Sequence, residues 1–259
     1  MPSTLTKPKP PVSEASNQEL DGVCSLCGHR GIFAYTANRS VRSDYACTNC
    51  RADLRHRDLG AVVLDEFSRG KHTSLYRAAR DHAFDALSIY EPSLRGPFTK
   101  YFRDVAGYEQ SYFWENVAPG DMHNGVVCQD LRQLTYDDDS FDLVLTSDIF
   151  EHVFEPERAF EEIYRVLRPQ GMHIFSIPYK WPVEPKSLAR AVMKNGRIQH
   201  HQPEVYHTAG DGSRCLVVTD WGTDLLDILD GIGFRTSVVR RSGPLFPMHT
   251  NATFVSRKS

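Results

Sequence analysis

Four cysteines near the amino terminus are grouped in two Cys-x-x-Cys pairs. Cys24 pairs with Cys27 and Cys47 pairs with Cys50, with residues 28–46 between the two pairs. Each pair forms a tight turn that can direct two thiolates at one ion, and two such turns supply a tetrahedral four-thiolate site for zinc. Because that site has no open coordination position, we expect the zinc to be structural rather than catalytic. Four free or redox-active thiols are the alternative.

Histidine side chains form a second set of groups that could do chemistry. Glu151 and His152 directly follow a short apolar run, and His207 lies in the long polar stretch 179–218. Imidazole titrates near neutral pH, so it can accept a proton from an oxygen or nitrogen nucleophile. The carboxylate of Glu151 could orient the ring or bind a cation. The alternatives are that His152 only satisfies local hydrogen bonds and that His207 is a surface residue.

Composition excludes several classes of protein. The net charge of −3 leaves no general basic field, so we expect no nucleic-acid partner. No apolar run approaches the length that crosses a bilayer, and residues 1–20 lack the apolar core of a secretory signal, so we predict a disordered tail there. Six cysteines in this arrangement are typical of a reducing compartment, and we expect a cytoplasmic protein.

Strands and a helix of the middle third must position these groups. Residues 141–145 form an apolar run after a turn cluster, Pro156 suits the first turn of a helix, and residues 172–177 form a second apolar run. A strand, crossover helix and strand of this size make a right-handed parallel unit. Ligands of such sheets bind at the carboxyl ends of the strands, which are residues 146–152 and 176–179 here.

The flanking segments complete a predicted α/β fold. Residues 86–90 are predicted to form the first strand of the sheet, and residues 234–239 and 253–256 the last two. Asp220 is predicted to cap a helix that ends at Gly233. Before the sheet, a basic start at Arg55, His56 and Arg57 indicates either a solvated helix face or a contact with an anionic substrate.

Four blocks of the middle third form a set of motifs. They are Asp130-Leu131, Ser140-Phe141-Asp142, Phe150-Glu151-His152-Val153 and Arg165-Val166-Leu167-Arg168-Pro169-Gln170-Gly171. Together they resemble the central blocks of class I S-adenosylmethionine-dependent methyltransferases. Residues 116–120, 201–207 and 254–258 are similar to a bacterial subgroup of that family with an amino-terminal zinc ribbon. The resemblance covers residues 21–259.

The resemblance implies a fold and a division of the chain. The fold would be a Rossmann-like, seven-stranded, mostly parallel sheet with helices on both faces, preceded by a small zinc ribbon. The zinc ribbon would occupy residues 21–54 and connecting helices residues 55–84. The methyltransferase domain would follow at residues 85–259, with a substrate-loop insertion at residues 179–218.

The resemblance also implies where S-adenosylmethionine would bind its methionine end. Tyr90, Glu91, Ser93 and Gly96 occupy the turn after the first strand and would line the methionine moiety. The usual turn is glycine-rich because the backbone approaches the cofactor closely, whereas this turn keeps only Gly96. A structural loop on a domain that has lost its cofactor is the alternative.

The nucleoside end would meet four further residues. Tyr112 takes the position where an acidic residue usually accepts hydrogen bonds from both ribose hydroxyls, and a tyrosine can only stack or make one bond. By resemblance, the Asp130 carboxylate accepts from the adenine amino group and the Leu131 amide meets a ring nitrogen. Ser147 ends the fourth strand and should touch the cofactor.

The function implied is methyl transfer to an oxygen or nitrogen of a small-molecule or saccharide-type metabolite. His152, Tyr206 and His207 would serve as base or acceptor-binding residues, and a homodimer stays open. One alternative is an RNA methyltransferase that uses the zinc ribbon for RNA, which predicts a continuous basic stripe. The other is a non-catalytic, degenerate cofactor-binding module.

Overall fold

The computed structural model describes residues 19–36, 40–179, 183–240 and 251–259. The predicted disordered tail lies outside these residues, except that Glu19 and Leu20 already belong to the first strand. Trp181 and most of the loop before the last strand also lie outside them. Within the described residues, no helix combines the length and the apolar character needed to cross a membrane.

A hairpin and two helices precede the main sheet. The hairpin strands β1 (Glu19–Val23) and β2 (Arg30–Ala34) pair antiparallel. The helices are α1 (Leu54–Ser68) and α2 (Leu75–Arg80). Each helix begins at a side-chain cap, because Asp53 accepts from the amide of His56 and Ser74 from the amide of Arg77.

In the ranges that the structure describes, the remaining strands number fourteen and the remaining α-helices three. The helices are α3 (Thr99–Phe102), α4 (Pro156–Val166) and α5 (Leu225–Ile232). The strands are β3 (Ile89–Glu91), β4 (Tyr108–Tyr112), β5 (Met122–His123), β6 (Val126–Cys128), β7 (Phe141–Ser147), β8 (Leu167–Ser176), β9 (Leu188–Ala189), β10 (Ala191–Lys194), β11 (Arg197–His200), β12 (Tyr206–Thr208), β13 (Arg214–Leu216), β14 (Thr219–Asp220), β15 (Phe234–Arg240) and β16 (Ala252–Lys258).

The main sheet has eight strands in the order β15-β16-β8-β7-β3-β4-β6-β5. The five central strands from β8 to β6 pair in parallel, and β16 runs antiparallel to both of its neighbours. The two-residue strand β5 pairs antiparallel with β6 at the edge and adds one strand to the seven predicted. The predicted Rossmann-like, mostly parallel fold is confirmed.

The centre of the sheet is buried on both faces, which explains the apolar run of residues 143–145 in β7. Leu143 and Leu145 pack on one face with α1 and the cysteine-bearing segment. Val144 points to the opposite face, where α4 and α5 cover it. Successive residues of a strand point to opposite sides, so a central parallel strand needs apolar residues at every position.

Two local predictions have different outcomes. Pro156 occupies the first turn of α4, as its fixed backbone angle favours. The prediction that Asp220 caps a helix is wrong, because Asp220 lies in β14 and its carboxylate pairs with Arg190 at 2.7 Å. Helix α5 begins after Asp224 and ends at Gly233, which has a left-handed φ of 115°.

The stretch predicted as a substrate-loop insertion contains two hairpins, β10–β11 and β12–β13, and strand β9, which pairs with β14 directly after the insertion. Its end is fixed to the carboxyl side of β7. The Val218 amide donates to the carbonyl of Glu151 at 2.7 Å, and the Arg190 amide donates to the carbonyl of Val218 at 2.7 Å. The insertion therefore sits against the residues that follow β7.

Candidate active site and cysteine cluster

The four amino-terminal cysteines come together as predicted. The Sγ atoms of Cys24 and Cys50 are 3.7 Å apart, as are those of Cys27 and Cys47, and all four lie within 4.8 Å of one another. A disulfide would need about 2.05 Å. A tetrahedral zinc with bonds of about 2.3 Å places its sulfurs about 3.8 Å apart. The cluster therefore fits a zinc ion.

The two cysteine turns are built alike. The Gly28 amide donates to the carbonyl of Cys24 at 2.8 Å, and the Arg51 amide donates to the carbonyl of Cys47 at 2.8 Å. Gly28 needs its left-handed φ of 79°, and a Cβ there would lie 2.9 Å from the Ser74 hydroxyl. The same turn in both pairs aims two sulfurs at one point.

A cavity of about 680 Å³ opens at the carboxyl ends of β3, β4 and β7. Its size suits a nucleoside-sized ligand. It brings together five of the predicted cofactor residues and two of the predicted catalytic residues, namely Ser93, Tyr112, Asp130, Leu131, Ser147, His152 and His207. We call this space the donor cavity.

The turn after β3 is braced by a buried carboxyl group instead of several glycines. Glu91 is 2% exposed and accepts hydrogen bonds from Tyr108 at 2.7 Å and Thr99 at 3.3 Å. A Cβ on Gly96 would lie 1.7 Å from Oε1 of Glu91. Only glycine therefore allows the backbone at position 96 to lie this close to the Glu91 carboxyl group. Burial raises the pKa of Glu91 to about 7. Both residues line a neighbouring cavity.

The side chain of Tyr90 lines neither cavity. It is fully buried, its hydroxyl bonds to Ser111 at 2.7 Å, and its ring stacks on Phe141 at 5.2 Å. Tyr90 is thus a core residue, apart from the other predicted cofactor residues. The donor cavity is bordered by Pro92 and is not filled by Tyr90 or Leu94.

The nucleoside end of the donor cavity contains polar groups that are already positioned. The Asp130 carboxylate accepts from Arg132 at 2.6 Å. Burial opposes its ionisation, but the hydrogen bonds from Arg132 outweigh burial and lower the pKa of Asp130. The Tyr112 ring packs edge-on against Trp114, with centroids 4.9 Å apart.

Two histidines and a buried carboxylate meet at the other end. His152 Nε2 is 3.1 Å from His207 Nδ1, and each histidine is 3.6 Å from Oε1 of Glu151. The second ring nitrogen of His152 hydrogen-bonds the carbonyl of Leu216 at 2.8 Å, which fixes the ring. Among the described residues, the fully buried Glu151 carboxylate has no hydrogen-bond partner. This cluster can accept a proton or hold a cation.

Tyr206 is not part of this cluster. Its ring is 36% exposed, its hydroxyl donates to Glu204 at 2.7 Å, and the Arg214 guanidinium lies 3.9 Å from the ring centre. Tyr206 and His207 are neighbours on a strand, so their side chains point to opposite sides. Only His207 faces the donor cavity.

A buried ion cluster that no sequence motif predicted lies in the wall of the donor cavity. Asp148 accepts from Arg42 at 2.5 and 2.7 Å, from Ser176 at 3.0 Å and from Arg55. Burial opposes ionisation of Asp148, but the two arginines outweigh it and hold its pKa well below the usual range. Arg55 is identified in the sequence as part of a basic helix start, whereas no motif points to Arg42.

Comparison with known proteins agrees with this site. Residues 95–175 match the model of a family described as a methyltransferase domain. None of the curated proteins compared with the chain matches it.

Solved structures similar to the chain include three methyltransferases. One, from Mesorhizobium loti, is S-adenosylmethionine-dependent and 18% identical, covering 70% of this chain and 96% of its own, with a TM-score of 0.44. An amino pentose methyltransferase from Micromonospora echinaspora is 14% identical, covering 76% and 97%, with a TM-score of 0.43. A 1,6-didemethyltoxoflavin-N1-methyltransferase from Burkholderia thailandensis is 16% identical, covering 77% and 86%, with a TM-score of 0.37.

The family match covers the segment from before α3 to near the end of β8, which supplies about half of the residues that line the donor cavity. The strand order and the position of the cavity at the carboxyl ends of the parallel strands agree with it. Residues 95–175 of this chain therefore belong to a methyltransferase domain.

Proposed function

We propose that the enzyme methylates an oxygen or nitrogen of a small-molecule or saccharide-type metabolite. The observation that carries this proposal is the donor cavity, where predicted cofactor residues meet His152 and His207. Thr208, Ala209 and Gly210 of the insertion line the same space. A site partly covered by its own chain favours a small acceptor over a large one.

The chain's residues have separate roles in this proposal. Asp130 and Leu131 would hold the adenine and Tyr112 the ribose, with Ser93 and Ser147 closer to the sulfur. S-adenosylmethionine supplies an electrophilic methyl group when bound. Transfer would form a bond from the acceptor lone pair to the methyl carbon and leave the carbon–sulfur electron pair on sulfur. The acceptor proton passes to His152 or His207, which are within hydrogen-bond distance of each other.

We also propose that the cysteine cluster holds structural zinc and that Glu151 stabilises the imidazolium formed on proton transfer. Its carboxylate is fully buried and 3.6 Å from both rings, so a positive charge there would gain an ionic partner. Cation binding by the same three residues is the other use of this geometry.

The test is release of S-adenosylhomocysteine from S-adenosylmethionine with a panel of sugars, sugar phosphates and small amines as acceptors. We expect turnover with at least one acceptor and a loss of about 10²-fold or more in kcat for His152→Asn. His201→Asn, whose side chain lines neither cavity, is the control and should keep full activity. Turnover on RNA alone, or an unchanged rate in His152→Asn, would contradict the proposal.

A further inference from the structure

A second cavity, of about 580 Å³, lies between the end of the cysteine segment, the turn after β3 and the insertion. Its lining is rich in basic side chains, which are Arg51, Arg55, His56, Arg95, Lys100 and Arg103. Among the described residues that line it, Glu91 is the one carboxylic acid. We call this space the basic cavity.

The positive charge of the basic cavity is only partly neutralised. Arg55 is paired with Asp148 and with Asp53. Arg51, Arg95 and Lys100, in contrast, have no carboxylate partner among the described residues.

The other acidic groups near the basic cavity, Asp104 and Glu91, neutralise little of its positive charge. The Arg103 guanidinium is 4.0 Å from Asp104, where both side chains are exposed. Burial raises the pKa of Glu91 to about 7, so its carboxyl group neutralises the cavity incompletely near neutral pH. Cations left without partners in one concave site attract an anion.

The basic cavity adjoins the donor cavity. Both are lined by Arg55, by Ser93 and Ser147, and by residues 208–210 of the insertion. A ligand that occupies the basic cavity can therefore extend a reactive group past the two serines toward the donor cavity. Ser93 and Thr208 add hydroxyl donors to the guanidinium and ammonium groups.

We propose that the basic cavity binds the phosphate or diphosphate group of a phosphorylated methyl acceptor. The amino-acid end of S-adenosylmethionine carries one carboxylate and one ammonium group, so it does not require several unpaired cations. A phosphate carries more than one negative charge and accepts from guanidinium and hydroxyl groups together. This inference rests on the proposed small-molecule methyltransferase function and specifies its substrate class.

The test uses the full-length, zinc-loaded protein and titration calorimetry with inorganic pyrophosphate, with S-adenosylhomocysteine already bound. We expect saturable binding that weakens about tenfold or more in Arg95→Gln/Lys100→Gln. Both side chains are exposed, so the variant should fold, which a thermal melt verifies. Arg235→Gln removes an exposed arginine of β15 outside both cavities and should leave pyrophosphate binding unchanged.

The separate titrations distinguish a failure of the phosphate site from a failure of the methyltransferase function. Absent pyrophosphate binding, or equal binding in the double variant, would overturn the phosphate site. A parallel loss of S-adenosylhomocysteine affinity in that variant would assign the basic cavity to the donor and also overturn it. Tighter binding of a short RNA than of pyrophosphate, lost in the same variant, would replace the small acceptor with nucleic acid. Absent S-adenosylhomocysteine binding with intact pyrophosphate binding would count against the methyltransferase function alone.

Discussion

At the residue scale, Glu91 is a buried carboxyl group without a cationic partner among the described residues. Burial raises its pKa from 4.5 to about 7, so the folded state holds a proton that the unfolded state has already lost. This contribution to stability is complete below pH 4.5 and is lost as the pH rises through 7.

Glu91→Gln should therefore become more stable relative to the wild type as the pH rises. A shift of this size corresponds to about 3 kcal/mol in the difference in free energy of unfolding between pH ~4.5 and ~8. Urea unfolding at several pH values measures that difference. A difference that stays constant with pH would show that Glu91 is ionised in the folded protein.

A second prediction at the residue scale concerns Gly96. A methyl group there would overlap the Glu91 carboxylate, which Tyr108 and Thr99 hold in place. Gly96→Ala should cost about 1–3 kcal/mol in stability and weaken S-adenosylhomocysteine binding. Gly231→Ala, in α5 with nothing within 4 Å of its Cβ, is the matched control and should melt at or above the wild-type temperature. Equal melting temperatures for Gly96→Ala and the wild type would contradict the close contact between Gly96 and the Glu91 carboxyl group.

At the element scale, the backbone of the insertion at Gly210 lies close to residues that line the two cavities. A Cβ on Gly210 would lie 3.4 Å from Leu94, which lines the basic cavity, and 3.5 Å from Tyr112, which lines the donor cavity. Gly210→Leu should hold the insertion away and weaken S-adenosylhomocysteine binding about tenfold by calorimetry. Gln199→Leu, on the exposed strand β11, should bind it as the wild type does. Full affinity in Gly210→Leu would show that the insertion does not cover the site.

Elements that depend on local pattern could be predicted from the sequence. Strand β7 contains the apolar run 143–145, and helix α4 has apolar residues at helical spacing and a proline at its start. The existence of both elements therefore follows from short-range physics. Asp220 has the chemistry of a helix cap, but its carboxylate pairs with Arg190, thirty residues earlier in the chain. That choice depends on how the insertion folds back, which no local pattern encodes.

Some residues of the candidate site could likewise be predicted from local sequence, and others depend on tertiary structure. His152 was placed by the strand that precedes it, whereas choosing between Tyr206 and His207 required knowing which side of β12 faces the cavity. Tyr90 belongs to the predicted first strand, yet the observed strand is shifted toward its carboxyl end, to Ile89–Glu91. The contact of Arg42 with Asp148 joins residues 106 positions apart and left no trace in the sequence.

At the scale of the whole molecule, the cysteine segment forms part of the donor-cavity wall. Arg42 is 9% exposed and binds both Asp148 and the carbonyl of Ile177 at 3.2 Å. Arg55, on α1, reaches the same carboxylate. The segment thus fixes the residues that follow β7 and β8, so the proposed zinc supports the cavity without touching its ligand.

Removal of zinc should therefore weaken donor binding as well as stability. Small metal-dependent segments fold largely through metal binding, and loss of the segment would leave Asp148 buried without Arg42. Chelation should lower the melting temperature and reduce S-adenosylhomocysteine affinity, and added zinc should restore both. Cys128→Ser, outside the cluster and outside both cavities, should respond to the chelator as the wild type does. Unchanged affinity in the zinc-free protein would separate the segment from the cavity.

The most direct measurement is calorimetric titration of the zinc-loaded, full-length protein with S-adenosylhomocysteine. The account predicts one molecule bound per chain and an affinity at least about tenfold lower in Asp130→Ala, which lines the donor cavity. Asp121→Ala, an exposed residue outside that cavity, should bind like the wild type. The absence of saturable binding at about 1 mM ligand, or equal affinity in Asp130→Ala, would contradict a donor site at the carboxyl ends of β3, β4 and β7.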